Sequence, residues 1–215
     1  MPKLRRMRAP LNCPGKAPTF NELYYPGFGN ANLDPEESAT VEAGYRWRDQ
    51  NSRFSANIFS SDVDNLIAYD AALFAPGNVN AAMIQGLEIQ FDTAMDAWKF
   101  GAALTLLSAE QDGGTHDGKE LPRRPGEFLE LRIDRAFAKA SAGASLFSSG
   151  STYDDLANTT VIESYTTIDL RGAYHFSAAW HIVGRVTNLT DEDYENASYY
   201  RQPGRQFFVG LKWMQ

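Results

Sequence analysis

Apolar and polar residues alternate along nine segments of this chain. Successive side chains of a β-strand point to opposite faces of its sheet, so this period of two predicts strands with one apolar and one polar face. The nine segments are residues 39–47, 54–58, 86–91, 98–106, 129–134, 140–146, 168–175, 180–187 and 206–213. We expect each strand to be about ten residues long, which is enough for a tilted strand to cross a bilayer.

Short and long connectors alternate strictly between the predicted strands. The short ones are residues 48–52, 92–97, 137–138 and 176–179, and the long ones are residues 62–83, 110–124, 149–163 and 189–204. Transmembrane barrels have tight turns on the periplasmic side and long loops outside. The chain is therefore predicted to be an all-β, antiparallel transmembrane β-barrel segment of about nine strands. The segment 20–35 then also lies outside, before the first strand.

Composition argues against several other classes of protein. No apolar run approaches the roughly 18 residues that a membrane-spanning helix needs. The net charge is −7 and no basic stripe is present, which argues against nucleic-acid binding. Cys13 is the only cysteine, so the sequence predicts neither an internal disulfide nor a cysteine-based metal cluster.

Aromatic residues gather near the predicted strand ends, where they are candidates for the girdles at the membrane interfaces. These candidates are Tyr45, Trp47, Trp98, Tyr174, Phe176, Trp180 and Trp213. Ordinary β-propensity is the alternative explanation. Charged residues of both signs lie on the polar faces: Glu42, Glu88, Glu130, Arg132, Asp134, Asp169, Arg171 and Arg185. Since charges taken out of water need partners, we expect ion pairs between neighbouring strands.

The sequence gives no indication of catalysis or metal binding. His116, His175 and His181 are too scattered for a metal-ligand spacing. The loop with Asp112 and Asp117 lacks the spaced carboxylates of an EF-hand. We therefore predict no catalytic residue, no metal site and no cofactor, and the protein is not expected to be an enzyme.

Nine is an odd number of strands, whereas single-chain bacterial barrels usually have an even number. An open sheet would leave two unsatisfied edges in lipid, so other strands must complete it. We expect residues 1–14 to be an unrelated N-terminal segment and residues 15–215 to be part of a larger barrel. Two alternatives stay open. One is a small self-closed outer-membrane barrel of eight or ten strands, acting as a pore or an enzyme; the other is a soluble β-sandwich binding module.

The end of the chain carries a motif: Asn188-Leu189-Thr190-Asp191-Glu192-Asp193-Tyr194, then Pro203-Gly204-Arg205, then the final alternating strand. It resembles the C-terminal signature of TonB-dependent outer-membrane receptors, an Asn-Leu-x-Asp-x-x-Tyr run followed by Gly-Arg. The matching residues are Asn188, Leu189, Asp191, Tyr194, Gly204 and Arg205. Four upstream segments, residues 16–24, 29–36, 85–88 and 121–125, resemble further motifs of this family in the same order.

This resemblance implies a part in the energised uptake of a scarce nutrient across the bacterial outer membrane. Within the family the chain is most similar to vitamin B12 (cobalamin) receptors, on the run 62–69 and the short outer loops. Siderophore receptors share much of the same pattern. The resemblance further implies a barrel of about 22 strands, with a plug domain that is absent from this sequence. The implied partners are outer-membrane lipid, the plug domain, the TonB complex and a small-molecule nutrient. It identifies no ligand-binding residue, and alone the chain is expected neither to insert nor to transport.

Overall fold

The computed structural model describes residues 15–70, 74–79 and 81–213. In chain order its elements are β1 (Gly15–Lys16), α1 (Phe20–Tyr24), β2 (Glu36–Arg48), β3 (Ser52–Asp64), β4 (Ile67–Asp70), β5 (Ala75–Asn78), β6 (Ala81–Met95), β7 (Trp98–Asp112), β8 (Glu127–Ala136), β9 (Ala140–Ser149), β10 (Thr152–Tyr153), β11 (Val161–Ile162), β12 (Tyr165–His175), β13 (Trp180–Thr187) and β14 (Gln206–Trp213). Nine of these strands have eight or more residues, and they coincide with the nine alternating segments. The predicted strand count and the all-β antiparallel class are confirmed.

The nine long strands and the two-residue β1 form one antiparallel sheet in the order β1-β2-β3-β6-β7-β8-β9-β12-β13-β14. Each long strand pairs with the next long strand along the chain, as in an up-and-down barrel wall. Among the described residues no pairing joins β14 to the strands at the other edge. The described residues therefore form an open piece of wall, as expected for part of a larger barrel.

The small elements all lie at the end of the sheet that carries the long connectors. Two short hairpins, β4–β5 and β10–β11, extend two of these connectors. Thr19 caps α1 through a capping box, because its hydroxyl accepts the Glu22 N–H and the Glu22 carboxylate accepts the Thr19 N–H. No helix among the described residues is long and apolar enough to cross a membrane.

One face of the sheet is apolar and exposed. Directly paired residues of neighbouring strands share a face, and the strand registers place on this face Val41, Tyr45, Ile58, Phe91, Met95, Phe100, Leu106, Leu131, Ile133, Leu170, Tyr174, Trp180, Ile182, Phe207, Val209, Leu211 and Trp213. Along β7 the apolar run from Trp98 to Leu106 covers about 27 Å, or roughly 21 Å across a membrane at a 40° tilt. That height is close to the band of about 25 Å typical of outer-membrane barrels.

The strands β3, β6 and β7 continue further toward the long connectors than the alternation predicts. The reason is that the pattern inverts there: Asp62, Gln85 and Glu110 lie on the otherwise apolar face. On the opposite face Val63 and Ala82 pack with residues of the long connectors. The complete buried cluster is Val63, Leu66, Ala82, Ala109 and Leu121. The long connectors thus fold inward over the polar face and bury a small core there.

Candidate functional site

The polar face carries charged residues that are paired across three strands. Arg171 on β12 reaches Asp134 on β8, with its Nε and Nη2 donating to the two carboxylate oxygens at 2.8 and 2.6 Å. Gly143 of β9 lies between them in register. A Cβ on Gly143 would overlap the Asp134 carboxylate, so this ion pair depends on glycine at that position.

The same arrangement recurs on the neighbouring strands β6, β7 and β8. Arg132 on β8 donates from Nη2 to Oδ1 of Asp92 on β6 at 3.2 Å, across Gly101 of β7. A Cβ on Gly101 would lie 2.9 Å from the Arg132 Nε and 3.1 Å from Asp92 Oδ1. Glu130 adds a second carboxylate, 3.4 Å from the Arg132 Nε. Ion pairs are therefore present on the predicted polar face, but they join strands that are two apart in the sheet instead of the neighbouring strands that were expected.

The glycines are needed because of the distance between the paired strands. Adjacent strands are about 4.8 Å apart, so residues two strands apart are separated by roughly 9.6 Å. A long arginine side chain crosses this gap only if the middle residue leaves its space open. We call the two sets Asp92–Gly101–Arg132 and Asp134–Gly143–Arg171 the charged rows.

The remaining predicted inward charges are on the same face but outside the charged rows. Glu42 is opposite Phe59, and Glu88 is opposite Asn57. Arg185 is paired in register with Arg171, which already holds Asp134. Asp169 binds a backbone group, because its Oδ1 accepts the N–H of Asn188 at 2.9 Å. The structure thus confirms the common face of these charges, while pairing only some of them.

The motif residues after β13 come together in one folded connector. Asn188 is buried and has a φ of 50°, which favours asparagine among residues with a Cβ. Its Oδ1 accepts the Glu192 N–H and its Nδ2 donates to the Glu192 carbonyl, both at 2.8 Å. The Leu189 N–H donates to the Ile168 carbonyl at 2.7 Å. These bonds fix the path of the chain as it leaves the sheet.

Asp191 joins the start of this connector to its end. Its Oδ1 accepts the Arg205 N–H at 2.7 Å, and the Arg205 Nη1 donates to the Leu189 carbonyl at 3.2 Å. A Cβ on Gly204 would lie 2.7 Å from Asp191 Oδ1. Tyr194 stacks on Tyr165 of β12 with ring centroids 4.0 Å apart. All six motif residues therefore contribute to one clamp between β13 and β14.

A chain of contacts joins the segment 20–35 to the four long connectors. Phe28 stacks on Tyr69 at 6.0 Å, and the Arg123 guanidinium lies 4.8 Å from the centre of the same Tyr69 ring. The Arg123 Nε donates to Asp154 Oδ1 at 2.6 Å. That oxygen also accepts the Ser198 N–H at 3.3 Å. The loops at this end of the sheet are therefore linked to one another by side-chain contacts.

The segment 121–125 leads into β8 and packs on the polar face of the sheet. Leu121 is fully buried and donates its N–H to the Ala109 carbonyl, whereas Arg123 has a φ of 57°. The Arg124 N–H donates to Thr152 Oγ1 at 3.1 Å. Burial lowers the pKa of the Arg124 guanidinium, and the nearby Glu36 carboxylate opposes that effect. Beside this segment is a cavity of about 220 Å³, whose lining includes Arg123, Thr152, Glu163, Tyr165 and Glu195.

The histidines are less scattered in space than in sequence. The β12–β13 register places His175 opposite His181, with ring centroids 4.0 Å apart, while His116 lies in the connector after β7. Within the described residues no group of three or more possible metal-ligating side chains occurs. The expectation of no metal site stays a prediction.

Comparison with known proteins identifies the family. The family model described as TonB dependent receptor-like, beta-barrel matches residues 15–189. This chain belongs to the TonB-dependent receptor β-barrel family. It is 32% identical to the vitamin B12 transporter BtuB of Photobacterium profundum, over 90% of this chain and 33% of the relative. It is 26% identical to the probable TonB-dependent siderophore receptor PiuA of Acinetobacter baumannii, over 79% of this chain and 25% of that one.

Solved structures support the fold of this TonB-dependent receptor barrel. The copper transporter OprC superposes with a TM-score of 0.77 at 18% identity, covering 94% of this chain and 35% of its own. The chain spans about a third of the length of the curated vitamin B12 transporters that it matches. The resemblance to vitamin B12 receptors is therefore confirmed, as is the interpretation of the fold as part of a barrel.

Sequence reasoning missed several residues that organise the polar face and the outer loops. The sequence did not predict the role of Gly101 and Gly143, because glycine within a strand has several explanations. Asp154 carries no local motif. Tyr69 ends the recognised run 62–69 and Arg123 lies in the recognised segment 121–125, but neither signal indicated that the two side chains meet.

Proposed function

We propose that residues 15–215 are the C-terminal barrel portion of a TonB-dependent transporter in the bacterial outer membrane. Its substrate would be a scarce nutrient such as cobalamin or an iron–siderophore. The observation that carries this proposal is the 32% identity to a vitamin B12 transporter over 90% of the chain. We favour cobalamin, because identity to the siderophore receptor is lower, at 26% over 79% of the chain.

In this proposal the chain supplies wall and outer loops and carries out no covalent chemistry. Its apolar face would contact membrane lipid, and its polar face would surround the plug domain. The charged rows support this role, because they hold Arg132 and Arg171 in fixed places along the wall. Ligand passage would depend on the plug and on force from the TonB complex. The chain would accordingly not act as an enzyme.

The outer loops are the part of this chain that we assign to ligand contact. The network from Phe28 through Tyr69 and Arg123 to Asp154 presents aromatic and charged groups next to a cavity. The clamp formed by Asn188, Asp191 and Arg205 would instead hold the last two strands in register. We therefore give the family motif a structural role in assembly and no contact with the ligand.

A fusion tests the proposal. This chain replaces the matched third of the Photobacterium profundum vitamin B12 transporter, in cells that lack their own transporter for the vitamin. We expect uptake of labelled cobalamin that requires TonB. The same transporter with its matched third deleted is the negative control, and this chain expressed alone is a second control in which no uptake is expected.

Two results would separate the parts of the proposal. A fusion that reaches the outer membrane in folded form, yet takes up no cobalamin, would contradict the cobalamin assignment. An equivalent fusion with the siderophore receptor PiuA then tests the second nutrient class. Failure of both folded fusions would contradict the role in nutrient uptake altogether.

A further inference from the structure

The apolar face carries a single cation among the described strand residues, Arg135 near the end of β8. Other charged residues on that face are all acidic and lie at the opposite end, near the long connectors: Glu37, Asp62, Asp64, Glu110, Asp112 and Glu127. The two ends of this face therefore differ in the sign of their charge. Arg135 is an exception that the barrel architecture by itself does not require.

Aromatic rings surround the Arg135 guanidinium. Its central carbon lies 4.7 Å from the ring centre of Trp98, the residue directly opposite on β7, and 4.9 Å from that of Phe137. Among the described residues Arg135 forms no ion pair with a carboxylate. Its side chain is exposed on the face that meets lipid. The charge thus has ring faces to pack against and no anion within the described part of the chain.

The position of Arg135 makes a charge on this face tolerable. An arginine on the lipid face costs far less near the membrane interface than at the membrane midplane. Arg135 is one residue from the end of β8, beside a short turn, and short turns are on the periplasmic side. Aromatic contact covers the face of a guanidinium and leaves the N–H donors at its edge available for a bidentate anion.

We propose that Arg135, Trp98 and Phe137 form a binding site for the phosphodiester headgroup of an anionic phospholipid in the periplasmic leaflet. A guanidinium matches the geometry of a phosphate with two parallel hydrogen bonds. Acyl chains of the same lipid would extend over the apolar side chains of Ile133 and Met95, which lie on the same face. This site depends on the barrel fold and is independent of which nutrient is carried.

The amount of lipid that stays bound to the purified protein tests the site directly. The whole chain is folded into maltoside micelles, or purified within the fusion barrel if it needs the additional strands, and folding is checked by heat-dependent gel mobility. Native mass spectrometry then counts bound phosphatidylglycerol in competition with phosphatidylcholine. An arginine near an anionic lipid surface contributes about 1 kcal/mol, so Arg135→Gln should lower the preference for phosphatidylglycerol about fivefold. No cobalamin is present, so the result does not depend on transport.

Matched variants make the outcome specific. Arg185→Gln removes an arginine from the polar face and should leave lipid retention unchanged. Arg135→Lys keeps the charge but loses the fork of donors, so it should retain only part of the preference. Equal retention by Arg135→Gln and the parent would overturn the site, as would an equal loss in Arg185→Gln. Displacement of the lipid by inorganic phosphate alone would also overturn it, because the site would then recognise phosphate without the membrane.

Discussion

Substituting Gly143 by alanine should break the charged row formed by Asp134 and Arg171. The added methyl group would occupy the place of the Asp134 carboxylate and lie 2.9 Å from the Arg171 Nε. One of the two side chains must therefore leave its position. Gly184→Ala is the matched control, because its Cβ would come no closer than 3.9 Å to the Phe208 carbonyl oxygen.

The magnitude follows from the exposure of the ion pair. The Arg171 and Asp134 side chains are 37% and 41% exposed, so solvent screens their two hydrogen bonds and the pair contributes only ~1 kcal/mol. Forcing a side chain away from its rotamer adds about 1 kcal/mol. Alanine in a strand regains up to about 1 kcal/mol relative to glycine. Gly143→Ala should thus lower the free energy of unfolding by ~1 kcal/mol, whereas Gly184→Ala should leave it equal or slightly higher.

Urea unfolding of the fusion barrel in phosphatidylcholine vesicles measures the difference in free energy of unfolding between the variants. The dependence of that free energy on urea concentration should be the same for all of them. A double-mutant cycle with Asp134→Ala identifies the cause. Once the carboxylate is absent, alanine at position 143 should cost nothing, giving a coupling of about 1–2 kcal/mol between the two substitutions. Equal midpoints for Gly143→Ala and Gly184→Ala, or the absence of coupling, would refute the explanation of the charged rows.

Two further predictions concern the outer loops. Asn188→Ala should lower the free energy of unfolding by about 2–3 kcal/mol, because buried hydrogen bonds are lost and a Cβ residue must adopt a positive φ; Asn188→Gly, which relieves only the backbone cost, should lose ~1 kcal/mol less in the same urea assay. Burial alone would raise the pKa of Asp155, but N–H donors of Thr159 and Thr160 outweigh it and lower the pKa. A lowered folded-state pKa means that the stabilisation is complete at neutral pH and is lost as the pH falls through that value. The ratio of pepsin cleavage within residues 155–160 in the parent to that in Asp155→Asn, measured at the same pH, should therefore rise in strong acid, and a constant ratio would contradict this.

The strands of this barrel were predictable from sequence because, in the proposed membrane barrel, one rule applies to every strand. Each outward residue would meet hydrocarbon and each inward one a polar lumen, and the sequence shows the matching alternation of apolar and polar residues. The rule fails toward the long connectors, where the wall would leave the membrane. Beyond Ser60 and Gln85 polar residues lie on the outward face, the inward face packs against folded loops, and the pattern inverts. The predictions for β3, β6 and β7 were too short for this reason.

Contacts that depend on strand register could not be predicted from the sequence. His175 and His181 are separated in the chain by a turn, and only the pairing of β12 with β13 brings their rings to 4.0 Å. The same holds for Tyr69 and Arg123, which come from different connectors. A family motif identified the clamp residues without indicating that Asp191 holds the backbone of Arg205. Local patterns report the environment of a residue, whereas partners on other strands follow from the three-dimensional register.

The two charged rows share a strand, and this gives the wall a property that neither row has alone. Arg132 and Asp134 are two residues apart on β8, where one reaches back to β6 and the other is reached from β12. Side-chain bonds therefore connect β6, β8 and β12 on the inner face and span five consecutive long strands of the wall, in addition to the backbone ladder. Because the side chains are already paired within the wall, a plug that moves past them would not have to leave an unpaired charge behind. Such a surface suits a barrel that must stay rigid while its contents are displaced.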